Sequence, residues 1–99
     1  MGKSKLSYYL KEEINGKFIL ELKIHTVTDT NYSEGVKYSL IMINPKTGEK
    51  VLMDNHHPKG PHFHLNADEF DYDYKDEDQL IEDFKKLASQ HFGVKLWRN

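Results

Sequence analysis

The sequence predicts an α+β domain: a twisted, mostly antiparallel sheet of four to five strands, with one C-terminal helix packed on one face. Three observations predict it. Apolar and polar residues alternate with period two in several short runs before residue 75. Turn residues, Asn15-Gly16 and Asn44-Pro45-Lys46-Thr47-Gly48 among them, separate those runs. From Leu80 onward the apolar spacing becomes helical. A chain of 99 residues fits one domain, residues 1–99, with no internal repeat or linker.

Leu6, Tyr8, Leu10 and Ile14 form the first apolar set, and Phe18, Leu20, Leu22 and Ile24 the second. Asn15-Gly16 between them signals a hairpin. A two-residue turn would pair Ile14 with Lys17 and send the two sets to opposite faces. A three-residue loop, Ile14-Asn15-Gly16 with Gly16 left-handed, or an equivalent bulge, restores a shared face. That loop pairs Leu10 with Leu20, Tyr8 with Leu22 and Leu6 with Ile24, and sets Glu13 opposite Lys17.

Residues Thr26 to Gly35 are polar and aperiodic, a connection expected to border the functional loop. Val36, Tyr38, Leu40 and Met42 give a third strand, made central by Ile41 and Ile43 on its other face. Lys50 to Met53 return as a fourth, with Asp54 last. Phe70, Tyr72 and Tyr74 predict a short fifth strand with Glu69, Asp71 and Asp73 outward. Asp76 and Gln79 have the spacing of a helix-start capping box. Leu80, Ile81, Phe84, Leu87, Ala88 and Phe92 supply the buried stripe, and Gly93 the stop. Lys95, Trp97 and Arg98 follow as a basic–aromatic tail.

Composition removes several function classes. No apolar run approaches the ~20 residues of a membrane span. The start of the chain lacks a signal-peptide plan, so a cytoplasmic location is expected. There is no cysteine, hence no disulfide framework and no thiolate metal site. Net charge is −2, with acids concentrated between Asp68 and Asp83, which argues against a uniformly basic nucleic-acid binder.

Chemistry concentrates between Asp54 and His64, Asp-Asn-His-His-Pro-Lys-Gly-Pro-His-Phe-His, with four of the six histidines. Three accounts fit. His62 and His64 point the same way on an extended backbone, and with His56, His57 and Asp54 they offer three or four metal ligands of zinc type. Alternatively, His62 or His64 with His57 forms an acid–base pair. Lys59 is then a phosphate-binding cation, and Gly60 permits close backbone approach. RNA cleavage by its own 2′-hydroxyl needs such a set and no metal or cofactor. In the third account the prolines mark an irregular turn, Asp54-Asn55 bonds the loop backbone, and the histidines satisfy carbonyls.

The order Tyr38 … Val51-Leu52-Met53-Asp54-Asn55 … Lys59-Gly60-Pro61-His62-Phe63-His64 … Tyr72-Asp73-Tyr74 … Leu80-Ile81-Glu82-Asp83-Phe84 resembles the TumE family, toxin components of prokaryotic toxin–antitoxin pairs. The resemblance covers Tyr38 to Phe84, and the front hairpin matches in layout. Phe63 stands where that family often has a basic residue, and His56-His57 where it often has a charged stretch. The resemblance implies a toxin acting on RNA and an antitoxin partner with a helix-turn-helix. It maps Asp54, Asn55, Lys59, Gly60, His62 and His64 onto the motif. The expected catalytic residues are His62, His64, Asp54 and His57; Lys59, Gly60 and Asn55 are expected at the substrate. The alternative is a non-catalytic module that binds a protein or a metal through the same loop.

Overall fold

The computed structural model describes residues 4–95. Six strands precede one helix: β1 (Ser4–Ile14), β2 (Phe18–Val27), β3 (Val36–Ile43), β4 (Lys50–Asp54), β5 (His62–Leu65), β6 (Asp68–Asp71) and α1 (Glu77–Phe92). The strands pair in sequence order, β1-β2-β3-β4-β5-β6, every pair antiparallel. The fold class is therefore the expected one, with six strands in place of four to five.

The first hairpin keeps the expected parity and moves the register. Asn15 and Gly16 both have positive φ, 57° and 63°, and Lys17 N–H bonds the Ile14 carbonyl at 3.0 Å. The turn is thus the two-residue Asn-Gly type. Lys17 is then the extra residue, so that Ile14 opposes Phe18. Leu10 faces Leu22 and Tyr8 faces Ile24, a two-residue shift from the predicted pairs, because the insertion falls after the turn and not before it. A second irregularity between Leu6 and Tyr8 sets Leu6 opposite His25.

Alternation decides which side of each strand is covered. Phe18, Leu20, Leu22 and Ile24 of β2, Val36, Tyr38, Leu40 and Met42 of β3, and Val51 and Met53 of β4 are buried. Leu80, Phe84 and Ala88 of α1 complete one core with them. These helix positions recur every four residues, so one face of α1 closes the sheet. Each large side chain buried this way contributes roughly 1.5–3 kcal/mol. Asp76 caps the helix, accepting the Gln79 N–H at 2.7 Å, while the Gln79 amide donates to Asp83 and not back to the cap. Gly93 ends the helix at φ 66°. Of the tail, Trp97 and Arg98 lie outside the described residues.

The predicted fifth strand is corrected. The last strand ends at Asp71, and the chain from Tyr72 to Lys75 is irregular. Tyr72 and Tyr74 nevertheless turn inward. Tyr74 stacks on Tyr38 with ring centroids 5.8 Å apart, and Tyr72 Oη donates to Asp83 Oδ2 at 2.6 Å. Phe70 stacks on Phe63 at 5.0 Å and stays 45% exposed. The Tyr72 N–H still bonds the Pro61 carbonyl at 3.2 Å; beyond it the chain leaves the sheet for the helix start, with both tyrosines packed against the core.

Tyr38 Oη is buried and has no hydrogen-bond partner among the described residues. Burial first, and the nearby Glu34 carboxylate second, push the phenol above its ordinary ionisation range. Tyr38→Phe removes an unpaired hydroxyl and keeps the ring. Its unfolding free energy from urea titration is expected to equal or exceed that of the parent, by up to about 1 kcal/mol. A loss larger than about 1 kcal/mol would mean that the hydroxyl is paired after all.

Candidate functional site

The site begins where β4 leaves the sheet. Asp54 pairs with Ser39 on one side and His62 on the other. The next position, Asn55, falls opposite Tyr38 and is 1% exposed. Its side-chain oxygen accepts the Tyr38 N–H at 2.9 Å, and its amide nitrogen donates to the Val36 carbonyl at 2.7 Å and to Glu34 Oε1 at 2.9 Å. The side chain thus continues the ladder after the backbone has departed. This frees residues 56–61 to fold as a loop, closed by Lys59 and Gly60 N–H bonds to the His56 carbonyl.

Asp54, His62, His64 and Glu69 lie on the sheet face away from α1, as their register shows: Asp54 opposite His62, and His64 opposite Glu69. His62 is 5% exposed despite facing away from the core, because the loop folds over it. Its Nε2 is 2.9 Å from Asp54 Oδ1 and its Nδ1 2.7 Å from the Gly60 carbonyl. A carbonyl only accepts, so Nδ1 carries a hydrogen. His62 therefore clamps the end of β4 to the end of the loop. Gly60 takes φ 76°, in the left-handed region that glycine favours. The His62 and His64 rings meet edge-on at 4.9 Å.

An open hollow of about 320 Å³ is lined by Asp54, His56, His57, Pro58, Lys59 and His62. The loop before β3 borders it as expected: the His57 N–H reaches Tyr32 Oη at 3.4 Å. Lys37 Nζ lies 6.0 Å from the Tyr32 ring centre. A second hollow, about 260 Å³, is lined by Lys23, His25, Lys37, Tyr38 and Ser39. Ser39 pairs with Asp54, so the two hollows adjoin across β3 and β4.

Comparison with protein-family models, curated proteins and solved structures returned no match for this chain.

Asp54, His57, Lys59 and His62 share the hollow, with Gly60 held against His62 beside it. His64 is one ring away and outside the lining. Asn55, expected at the substrate, has its amide committed to β3 and Glu34. Its assignment moves from substrate to fold, because ending a strand under a loop leaves backbone groups that something must pair. The bonding of Asp54 Oδ1 to the His56 N–H at 3.4 Å adds a loop-holding role to that residue.

Sequence reasoning missed Glu69. Its Oε1 accepts from Lys59 Nζ at 2.7 Å and lies 3.6 Å from His64 Nε2. The hydrogen bond from Lys59 holds its carboxyl below the usual carboxylate range, helped by the charges of Lys59, His62 and His64. The available signal was Asn66-Ala67, a two-residue turn between His-Phe-His-Leu and Asp-Glu-Phe-Asp. Reading it as a hairpin puts Glu69 directly beside His64.

Proposed function

We propose that the chain is the toxin-type component of a toxin–antitoxin pair, of the kind the TumE resemblance implies. It acts in the cytoplasm and cleaves RNA at the histidine hollow without a metal or cofactor. Its protein partner is an antitoxin with a helix-turn-helix. The supporting observation is convergence: Asp54, His57, Lys59 and His62 line one open hollow, with the Gly60 carbonyl fixing the His62 ring.

The chemistry follows from these positions. A base takes the proton of the RNA 2′-hydroxyl, the oxygen attacks phosphorus, and the bond to the 5′ oxygen breaks. An acid then gives that oxygen a proton. His57 and His62 supply the pair, the Gly60 carbonyl orients the His62 ring through Nδ1–H, Asp54 holds Nε2 until substrate arrives, and His64 lies one ring away. His62 Nε2 exchanges Asp54 for substrate to take part. Lys59 is exposed and, among the described residues, its ammonium is held by the surface pair with Glu69, so it can exchange that carboxylate for a phosphate. Lys23, His25 and Lys37 in the adjoining hollow extend a cationic path for the RNA backbone.

One observation favours the alternative of a non-catalytic binding module. Both ring nitrogens of His62 already have partners within the chain.

Expression without a neighbouring gene separates the two. The parent chain is expected to arrest growth, and His57→Ala and His64→Ala to relieve it. Equal growth of all three removes the toxin reading. Purified parent protein in excess chelator is expected to cleave RNA, and His57→Ala to be slower by about 100-fold or more. Intact RNA with folded parent protein would leave the binding module.

A further inference from the structure

Two neighbouring strands, β5 and β6, bring metal-ligand chemistry to one patch of the uncovered sheet face. One ligand atom each from His62, His64 and Glu69 lies within 4.8 Å of the other two. His64 Nε2 and Glu69 Oε1 stand 3.6 Å apart. In a tetrahedral site with bonds of about 2.0–2.1 Å, neighbouring ligand atoms are about 3.3 Å apart, so small side-chain movements close the set. Glu69 is the partner able to make them, since its side chain is 39% exposed.

The tautomer of His62 supplies an independent observation. Its Nδ1–H is fixed on the Gly60 carbonyl, 2.7 Å away. Ligating histidines commonly donate their second ring nitrogen to a backbone carbonyl in this way, which leaves the lone pair on the other. In the neutral ring that lone pair is on Nε2, which faces Asp54 Oδ1 at 2.9 Å. Two electron-rich atoms this close call for a cation, a proton or a metal ion. The patch already attracts one: Lys59 reaches across from the loop and sets its ammonium 2.7 Å from Glu69 Oε1.

We propose that His62, His64 and Glu69 bind a divalent transition-metal ion of the zinc class, and that the Lys59 ammonium is the internal cation it displaces. Two imidazoles and one carboxylate suit zinc, whereas magnesium prefers an all-oxygen octahedral shell. Displacement makes the coupling reciprocal: whatever holds Lys59 on Glu69 weakens the metal, and the metal frees Lys59. The binding does not depend on RNA cleavage. On the functional reading above, it has one consequence: a loaded chain has His62 and His64 committed to the ion, which is an off state for proton transfer.

The test is zinc chloride titrated into tag-free full-length protein at neutral pH, read by calorimetry and equilibrium dialysis, with circular dichroism confirming that each variant is folded. A single zinc ion per parent chain is expected, undisturbed by millimolar magnesium. His64→Ala and Glu69→Gln are each expected to weaken it by about tenfold or more. Lys59→Met is expected to tighten it several-fold, and that gain is expected to disappear when Glu69→Gln is added. No retained zinc on the parent overturns the proposal. So does equal affinity in the parent, His64→Ala and Glu69→Gln, which would assign the ion to the exposed His56 and His57. Since bound zinc is the readout, the result is independent of whether the chain cleaves RNA.

Discussion

Asn55→Ala is expected to lower stability by about 3–5 kcal/mol, a large share of what a domain of this size has. The amide bonds Tyr38 N–H, Val36 C=O and Glu34 Oε1 in a site 1% exposed. Truncation orphans two backbone groups where water has little access, at about 1–3 kcal/mol each, and leaves a cavity. Asn55→Asp has nearly the same volume and is expected to be no better. One carboxylate oxygen can accept from Tyr38, but the other meets the Val36 carbonyl and the Glu34 carboxylate. Urea unfolding followed by circular dichroism measures both. A shift within about 0.5 kcal/mol in Asn55→Ala would return the residue to the substrate side.

His62→Ala is expected to lower stability by about 2–4 kcal/mol, from the loss of two hydrogen bonds in a side chain 7% exposed and the stranding of the Asp54 carboxylate. Loop 56–61 should loosen with it, so amide exchange at Lys59 and Gly60, which bond the His56 carbonyl, should quicken. A double-mutant cycle with Asp54→Ala isolates the pair, with a coupling of about 1–3 kcal/mol expected. Additive losses would mean that the two side chains act separately. The consequence for function is direct: loss of activity in His62→Ala has a structural component, which is why His57 is the cleaner probe of proton transfer.

The class of the fold, the central third strand, the helix with both of its ends, and the parity of the first hairpin were all legible in the chain. Each depends on a repeat of two or about four residues, or on a cap that reads its own neighbours. The β5–β6 hairpin was not, because His62 and His64 carry the signature of loop chemistry and also occupy the outward positions of a strand whose inward positions are Phe63 and Leu65. Tyr72 and Tyr74 continued the alternation of Phe70 past the point where the ladder stops. Alternation reports which side a residue faces, and it does not report whether a neighbouring strand is there to pair.

The site divides along the same line. That histidines, a lysine and a strand-ending Asp-Asn belong together follows from their closeness in sequence. That Asn55 belongs to the fold, that both His62 nitrogens are taken, and that Glu69 receives Lys59 beside His64 depend on register between strands and on a loop folding back over a sheet face. Side-chain periodicity is a local property of the backbone, whereas register is set by contacts between segments far apart in the chain. A shift of two residues leaves every face unchanged and gives every side chain a new partner, as the first hairpin illustrates.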